Sequence, residues 1–233
     1  MTSTRAEICV VACAELFRYD GEILVSPMGV VPALGARLAR KTFAPELLLT
    51  DGVAALVSDD GIIEGSMPYS RVFDMVWSGR RHVMMGASQL DANGNQNISA
   101  IGDHARPTTM LIGARGAPGN TACHATSYWI ARHNARVFVP QVDFVCGVGT
   151  DRGAADLRGV VTNLGVFDFG GPNRQMRAVS LHPGVAWEEV VAATGFPLTA
   201  AENRGTTRLP SEVELVLLRE TLDPTNKRDA EFQ

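Results

Sequence analysis

Hydrophobic positions in the first third of the chain change repeatedly from helical to extended spacing. The first helix is indicated by apolar side chains three and four residues apart: Ile8, Cys9, Ala12, Cys13, Leu16 and Phe17. Thr4 and Glu7 have the spacing of a capping box at its start, and Gly21 closes the segment. Strands and helices then alternate: strands at 22–26, 46–50 and 82–87, helices at 30–41 and 71–78. This order predicts βαβ units in an α/β fold, with a mostly parallel sheet flanked by helices.

The second half of the chain predicts a more mixed order. The apolar run 136–145 is interpreted as a buried strand, in which Pro140 favours an edge position or a bulge. Further elements follow: strands at 159–169 and 176–181 around a Gly-Gly-Pro turn, then helices at 187–194 and 211–222. Ser211 and Glu214 form a capping box for the last helix, and the polar stretch 199–208 is expected to be a flexible loop.

Composition favours one domain spanning residues 1–233. A chain of 233 residues that is 45% hydrophobic can bury a sizeable core without disulfides. The charged segment 223–233 is expected to be a flexible tail, because it offers little apolar surface to bury.

The charge pattern and the cysteines narrow the class of protein. The net charge of −4 and the lack of a basic run argue against nucleic acid and membrane surfaces as partners. The N-terminus has no signal-peptide pattern, and no apolar stretch approaches a length of about 18 residues. Cys9, Cys13, Cys123 and Cys146 lie among apolar residues without a Cys-x-x-Cys pair, which is typical of buried thiols in a reducing compartment. We therefore expect a cytoplasmic location.

Other polar and aromatic residues give weaker signals. The five histidines are scattered without metal-ligand spacing, so no metal is expected. Glu64 is interpreted as a solvated loop residue, and Asp59-Asp60-Gly61 as a turn. Trp77 and Trp129 stand at apolar positions, which predicts places in the core or in an interface.

Residues 47–55, Leu-Leu-Leu-Thr-Asp-Gly-Val-Ala-Ala, form the most informative segment. The segment resembles the strand of family I CoA-transferase β subunits that ends in Leu-(His/Gln)-Ser-Glu-Asn-Gly. In that register, the nucleophilic glutamate of the family falls on Thr50. A threonine hydroxyl without an adjacent base is a poor nucleophile, so the resemblance implies a subunit without the covalent transferase step.

A second segment, 86–97, contains the turn signal Asn93-Gly94 followed by the amides of Asn95, Gln96 and Asn97. These amides are suited to hold substrate carbonyls or to fix a loop, and a structural hairpin is the alternative to a binding site. The segment resembles the Leu-Gly-Ala-x-Gln-Val-Asp-x-x-Gly-Asn-x-Asn segment of the same β subunits.

A third segment, 112–120, resembles the glycine-rich loop that follows in these subunits, usually Gly-x-Gly-Gly. Arg115 stands where a glycine is usual, and Pro118 stiffens the loop. An arginine here can bind a carboxylate or stabilise a developing oxyanion. The alternative is a surface arginine that pairs with an acid.

The resemblance extends from about residue 5 to residue 196, because 161–169 and 181–196 also match the β subunits. It implies a NagB/RpiA/CoA-transferase-like α/β fold, a homologous α subunit and an α2β2 heterotetramer with an acyl-CoA substrate. Within the family, residues 94–100 and 165–172 are most similar to β subunits of bacterial hydrolases that open the last steroid ring. No cofactor is implied, since CoA is part of the substrate.

The resemblance also implies a mechanism and a set of site residues. Water would add to a cyclic β-keto-enoyl-CoA, and a carbon-carbon bond would break in a retro-Claisen sense, with the general base on the α chain. The implied catalytic residues are Arg115 and Asn97. The implied substrate and CoA contacts are Thr50, Asp51, Gly94, Asn95, Gly113, Gly116, Gly119 and Asn120.

Two alternatives stay open at the level of sequence. In the first, the chain is a CoA-transferase subunit in which Asp51 or Asp59 replaces the glutamate, although a shorter side chain misplaces the carboxylate. In the second, the chain is a non-catalytic scaffold that completes the pocket of the α subunit.

Overall fold

The computed structural model describes residues 2–232, which contain six α-helices and fourteen strands. The helices are α1 (Arg5–Glu15), α2 (Val30–Thr42), α3 (Tyr69–Val76), α4 (Ala117–Cys123), α5 (Trp187–Ala192) and α6 (Glu212–Val216). The strands are β1 (Leu24–Pro27), β2 (Leu48–Thr50), β3 (Ala55–Val57), β4 (Ile63–Ser66), β5 (Arg81–Met85), β6 (Gln89–Leu90), β7 (Gln96–Asn97), β8 (Ala100–Ile101), β9 (Thr109–Met110), β10 (Ala125–Ile130), β11 (Asp156–Thr162), β12 (Gly165–Asp168), β13 (Arg177–Leu181) and β14 (Thr199–Thr206).

The chain divides into two compact units rather than the single domain that composition suggested. The first unit combines the residues up to Gly86 with those from Thr207 on, and the second is the continuous segment Ala87–Thr206. Both units place helices against strands, and each contains parallel pairs together with antiparallel ones. The predicted α/β class is therefore confirmed.

The first unit begins with α1, whose capping box is confirmed. Thr4 Oγ1 accepts a hydrogen bond from Glu7 N at 3.3 Å, and a Glu7 carboxylate oxygen accepts from Thr4 N at 2.8 Å. Apolar side chains along both faces of α1 are buried, and the helix packs against α2. Gly35 of α2 permits this close approach, because a Cβ there would lie 2.8 Å from Cys13 Cβ.

The strands of the first unit run in the order β5-β1-β2-β3-β4, with β5, β1 and β2 parallel. Val25 and His82 are paired in the sheet and fully buried, and the His82 ring meets Phe17 at 4.8 Å. The strands β3 and β4 extend the sheet as an antiparallel hairpin, and the predicted turn at 59–61 connects them. The short strands leave much of this hairpin exposed.

The C-terminal segment packs against the first unit, which corrects the expectation of a flexible tail. Residues Lys227–Phe232 form a 3-10 helix, and the Arg228 guanidinium is buried beside Asp223 and Glu7 at 2.9 and 3.1 Å. The Glu231 carboxylate accepts a hydrogen bond from Val30 N at 2.6 Å, at the start of α2. Asp223, Arg228 and Glu231, which suggested a solvated tail, instead form hydrogen bonds and ion pairs within the unit.

The second unit has the strand order β14-β13-β12-β11-β10. Every residue of β10 is buried, and β10 lies parallel to β11. The predicted strand at 159–169 is two strands, β11 and β12, because the chain turns at Asn163. The hairpin predicted around Asn93-Gly94 is confirmed by the antiparallel pair β6 and β7.

Two predictions in the second unit are wrong. Residues 136–145 form turns and bends with one isolated bridge between Phe138 and Leu90, so their apolar side chains fill a core from an irregular segment. The stretch expected to be a loop is the exposed strand β14, parallel to β13. A polar composition does not indicate an edge strand such as β14, because neither the side chains nor the outer backbone groups of an edge strand need burial. Among residues 2–232, no helix has the length and apolar character needed to cross a bilayer.

Candidate functional site

The turn after β2 holds the first predicted site residue, and backbone groups surround its hydroxyl. Thr50 Oγ1 lies 3.1 Å from the Val25 carbonyl oxygen and 3.3 Å from Ser26 Oγ, and it accepts from Gly52 N at 3.1 Å. Within the part of the chain that the structure describes, no carboxylate or imidazole contacts this hydroxyl. The geometry therefore provides no activated nucleophile at Thr50.

Asp51 shapes the same turn and is exposed. Its Oδ1 accepts hydrogen bonds of 2.8 to 3.1 Å from the backbone N–H groups of residues 53–55, which is an Asx-type turn. Gly52 has a φ of +83°, and a Cβ there would lie 2.5 Å from the Pro27 carbonyl oxygen. The turn is thus fixed by its backbone against the end of β1, and one carboxylate oxygen of Asp51 is committed to it.

The second turn, at Asp91, is buried. Asp91 Oδ1 accepts from Asn93 N and Asn95 N at 2.9 and 3.0 Å, and Oδ2 accepts from Asn95 Nδ2 at 2.9 Å. Burial raises the pKa of Asp91, although the hydrogen bonds from Asn95 and Asn93 oppose that shift. Gly94 has a φ of +81°, and its carbonyl accepts from the buried Tyr128 hydroxyl at 3.1 Å. This turn is part of the core of its unit.

Asn95 connects the Asp91 turn to a distant part of the sequence. Its Nδ2 donates to both Asp91 and Asp151, at 2.9 and 3.0 Å, while its Oδ1 accepts from Gly149 N at 2.8 Å. The side chain is almost fully buried. Both amide hydrogens of Asn95 are therefore used within the protein.

Asn97 is fully buried and its amide is saturated by protein groups. Its Nδ2 donates to Gln89 Oε1 and to the Ala100 carbonyl, both at 2.7 Å, and its Oδ1 accepts from Ser99 N at 2.9 Å. The predicted direct contact with substrate does not fit this geometry, because neither amide hydrogen is left to donate. The structure makes Asn97 a support of the loop that follows β7.

The glycine-rich loop presents Arg115 to solvent. Arg115 has a φ of 50°, in the left-handed region that costs a non-glycine residue about 1 kcal/mol. This backbone conformation explains why glycine is usual at the position. Among residues 2–232, Arg115 makes neither an ion pair nor a side-chain hydrogen bond, so the alternative of an arginine paired with an acid is not what the structure shows.

The other predicted residues of this segment differ in accessibility. Gly113 has a φ of +82° with open space around it, and Gly116 is the N-cap of α4. Gly119 and Asn120 are buried within α4. The first pair can lie beside a ligand, whereas the second pair supports the helix.

Residues 147–149 bring the hairpin and the glycine-rich segment together within the second unit. Val148 N donates to Thr121 Oγ1 of α4 at 2.9 Å, and Gly149 N donates to Asn95 Oδ1 at 2.8 Å. The Asn95 network and the loop that carries Arg115 are therefore parts of one framework. Thr50 and Asp51 belong to the first unit.

The histidines, cysteines and tryptophans, to which the sequence assigned structural roles, differ in burial. Burial lowers the pKa of His133 to about 3, and its ring stacks on Phe138 at 3.8 Å. No group of three metal-ligating side chains occurs among the described residues. None of the four cysteines forms a disulfide, but Cys123 is exposed. Trp129 is buried as predicted, whereas Trp77 is 65% exposed, so the core is not its place.

Comparison with known families gives the next observation: residues 70–193 match the family model described as Coenzyme A transferase, which is more than half of the chain. The chain belongs to the coenzyme A transferase family. It is 53% identical, over 99% of both chains, to the "Cholesterol ring-cleaving hydrolase IpdB subunit" of Mycobacterium bovis. It is 29% identical, over 91% of both chains, to one subunit of the 3-oxoadipate CoA-transferase of Pseudomonas knackmussii.

The fold is also that of a solved member of the coenzyme A transferase family. A chain of the crystal structure of Rhodococcus jostii RHA1 IpdAB matches with a TM-score of 0.94 and 50% identity, over 100% of both chains. The recognition of a CoA-transferase-type β subunit, made from three ordered segments, is confirmed. So is its specific similarity to the ring-cleaving branch of the family.

Sequence reasoning missed several residues of this coenzyme A transferase chain that hold the candidate site. Arg81 is buried, with a pKa lowered by burial, and its Nη2 donates to Ser26 Oγ at 2.9 Å. Asp143 links to Gln89 at 2.9 Å and also accepts from Gly102 N at 2.8 Å. An arginine at the start of an apolar strand was the one available signal, since the partners of Asp143 lie far away in sequence.

Proposed function

We propose that this chain is one subunit of a two-subunit hydrolase that opens a ring of a steroid-derived CoA thioester. The relatives that support this are named as subunits of a cholesterol ring-cleaving hydrolase, and they align over nearly the whole chain. The second subunit is a homologous α chain, which the similarity to the IpdAB structure supports. An α2β2 heterotetramer is the assembly we propose.

The observation that carries the proposal is the hydroxyl of Thr50 at the position of the transferase carboxylate. Its hydrogen bonds to the backbone and to Ser26 leave a hydroxyl, without a carboxylate, where a transferase forms its covalent thioester. A hydrolytic carbon-carbon cleavage needs no covalent CoA carrier. The loss of the nucleophile and the proposed chemistry are therefore compatible.

The proposed substrate is a cyclic β-keto-enoyl-CoA. Water adds at the ring ketone carbon, the adjacent carbon-carbon bond breaks, and the electron pair is left as a thioester enolate. Protonation of that enolate gives a ring-opened acid that retains CoA. Catalysis of these steps requires a base for water and positive donors for the developing enolate oxygen.

Within this chain, we assign the electrostatic contact to Arg115. Its guanidinium is exposed and lacks an acidic partner in the described residues, so it is available to a carboxylate or enolate oxygen. Gly113 and Gly116 flank it and allow close approach of a thioester arm. Asn95 and Asn97 position the framework behind this loop, and we place the general base on the α chain.

The two rival functions, a transferase and a non-catalytic scaffold, can be compared with the contacts of Asp51, Asp59 and Arg115. A transferase would require Asp51 or Asp59 as nucleophile, but Asp51 commits one oxygen to three backbone N–H groups and Asp59 pairs with Lys41 at 3.0 Å. A pure scaffold would have no need for an exposed arginine in a strained backbone conformation. These contacts favour the hydrolase over either rival.

Two further assignments complete the proposal. We propose that CoA enters only as part of the substrate, without a separate cofactor or metal. We also place the protein in the cytoplasm, because its acyl-CoA substrate and its cysteines without disulfides suit a reducing compartment.

The decisive experiment supplies the co-expressed pair of subunits with a cyclic β-keto-enoyl-CoA and follows the products by mass spectrometry. We expect a product heavier by one water with CoA retained. Transfer of CoA to an added free acid, with the ring intact, would replace the hydrolase with a transferase and direct attention to Asp51.

The role of Arg115 is tested in the same assay with Arg115→Gln and Arg115→Lys. We expect Arg115→Gln to lower kcat/KM about 100-fold, because a charged donor to the developing oxyanion is lost. Arg115→Lys should recover part of this loss, since it keeps the charge but not the fork of donors. Unchanged turnover and KM in both variants would place the chemistry entirely on the α chain.

A further inference from the structure

Three neighbouring strands of the first unit each place one polar side chain on the same face of the sheet. Leu24 of β1 pairs with Arg81 of β5 on one side and with Leu48 of β2 on the other. Ser26 and Thr50 lie two residues beyond Leu24 and Leu48, and side chains two residues apart on a strand share a face. Arg81, Ser26 and Thr50 therefore form a polar row across β5, β1 and β2.

Hydrogen bonds connect the three members of this polar row. Arg81 Nη2 donates to Ser26 Oγ at 2.9 Å, and Ser26 Oγ lies 3.3 Å from Thr50 Oγ1. Arg81 and Ser26 are 7% and 2% exposed, whereas Thr50 is only half-buried. The polar row thus leads from a buried cation to a hydroxyl group on a partly accessible side chain.

The donors around Thr50 decide how its hydroxyl can act. A guanidinium only donates, so Ser26 Oγ accepts from Arg81 and keeps its own proton for another acceptor. Thr50 Oγ1 is in reach of that proton, and it also accepts from Gly52 N at 3.1 Å. These two bonds use both lone pairs of the Thr50 oxygen and leave its own proton to be donated. Such a hydroxyl is a donor rather than a nucleophile.

The buried charge of Arg81 strengthens this donor. Burial lowers the pKa of Arg81, yet a guanidinium remains protonated at neutral pH. Val83, which pairs with Ser26, is fully buried, and a charge acts more strongly in apolar surroundings than in water. Hydrogen bonds that follow one another also polarise one another. The cation at one end of the polar row therefore makes the Thr50 proton at the other end more positive.

We infer that Thr50 donates a hydrogen bond to the thioester oxygen of the acyl-CoA substrate, and that Arg81, acting through Ser26, is the positioning residue that aligns and polarises this donor. The inference rests on the proposed ring opening, in which the electron pair of the broken carbon-carbon bond is left as a thioester enolate. Negative charge then grows on that oxygen, so the donor stabilises the transition state more than the bound substrate. The substrate oxygen would share the Thr50 proton with the Val25 carbonyl, which lies 3.1 Å from Thr50 Oγ1.

Kinetics of the co-expressed pair of subunits test the role of Thr50. Thr50→Val keeps the branched shape and removes the hydroxyl, and Thr50→Ser is the matched control that keeps the hydroxyl. We expect Thr50→Val to lower kcat about 100-fold and to change KM less than about twofold, because the lost donor acts on the developing charge. Thr50→Ser should keep most of the wild-type kcat. An unchanged kcat in Thr50→Val would overturn the inference.

A double-mutant cycle separates the positioning role of Arg81 from a structural one. Arg81→Met removes the charge and fills the same buried space with an apolar chain, whereas Ser26→Ala breaks the link to Thr50. We expect each to lower kcat about tenfold when Thr50 is present and less than about twofold in the Thr50→Val background. Equal losses in both backgrounds would mean that Arg81 only supports the fold. Ser26→Ala gives the same comparison if Arg81→Met does not fold.

Infrared spectroscopy of a bound thioester gives a readout that does not depend on turnover. The probe is cyclohexanecarbonyl-CoA with an isotope label at the thioester carbon, and its ring stays closed because it has no ketone. A hydrogen bond lowers the stretching frequency of a carbonyl, so we expect the lowest frequency in wild type, a higher one in Ser26→Ala and the highest in Thr50→Val. The same frequency in all three would overturn the inference. The expected frequencies in a complex that leaves a cyclic β-keto-enoyl-CoA intact would refute the proposed function alone.

Discussion

Two turns in this chain have the same pattern of residues and hydrogen bonds, but one is exposed and the other is buried. In both, an aspartate oxygen accepts backbone hydrogen bonds and a glycine with positive φ follows, in the pairs Asp51 with Gly52 and Asp91 with Gly94. Asp51 is exposed, whereas Asp91 is 6% exposed and hydrogen-bonded through both oxygens. The sequence motif thus defines a turn, and burial decides whether the turn is a scaffold or an accessible wall.

This difference divides the residues of the candidate site into those that support its framework and those that can contact a ligand. The buried turn holds Asn95 and, through the strand after it, leads to Asn97, and both side chains are occupied by the protein. The exposed turn and the Arg115 loop keep polar groups available to a ligand. Residues that appear equally polar in the sequence therefore differ in function because of their surroundings.

The largest effect is expected for Asp91→Ala. It leaves two backbone N–H groups and one Asn95 amide hydrogen without their acceptor in a buried turn, which should lower the free energy of unfolding by about 4 kcal/mol. Asp51→Ala is the matched variant, and it should cost about 1 kcal/mol because water can replace the carboxylate. Urea titration followed by circular dichroism measures both. Equal losses would show that burial does not separate the two turns.

For the glycines, we expect the larger loss of stability in the exposed turn at Gly52 and the smaller one in the buried turn at Gly94. Gly52→Ala is expected to cost about 3 kcal/mol, because its Cβ would lie 2.5 Å from a backbone oxygen of Pro27. Gly94→Ala should cost about 2 kcal/mol, since its nearest contacts at 2.7 and 2.8 Å are the side chains of Leu157 and Phe169, which can shift. Gly113→Ala has a similar φ in open space and is the control for backbone strain alone.

Thermal unfolding of these three glycine variants ranks them directly. A Gly113→Ala variant as unstable as Gly52→Ala would assign the cost to φ rather than to the close approach.

A smaller effect is expected from pH. Burial raises the pKa of Asp91 above its ordinary value of 3.8, so the folded state binds this proton more readily than the unfolded state does. The stabilising contribution is complete below pH 3.8 and is lost as the pH rises through the folded-state pKa. The difference in unfolding free energy between wild type and Asp91→Ala should therefore decrease over that interval. Urea titrations across the interval measure it, and a difference that increases with pH would contradict the raised pKa.

Local patterns predicted the parts of the fold that local interactions determine. The capping boxes at Thr4 and Ser211 and the hairpin at Asn93 formed as expected, because each is closed by residues three or four positions apart. Strand β10 was missed because its sequence contains Thr126, Ser127 and Tyr128, which suggested no apolar run. Their burial depends on partners elsewhere in the chain.

The candidate site, like the fold, was predictable only where local motifs define it. The three ordered motifs located Thr50 and Arg115, and the positive φ of Arg115 supports the link to a glycine position. The motifs could not show that Asn97 faces Gln89, nor that Asp151 lies beside Asn95, because these contacts join segments distant in sequence. Side-chain chemistry was therefore visible in the sequence, while its availability was not.

The packing of residues 227–232 has a consequence for folding during synthesis. The first unit needs Arg228 beside Glu7 and Glu231 at the start of α2, so its last contacts form only after these two residues have been synthesised. The second unit is one uninterrupted segment, and all of it is synthesised before Arg228 and Glu231. All residues of the second unit are therefore synthesised before the first unit can be completed, which reverses the usual N-terminal order of domain completion.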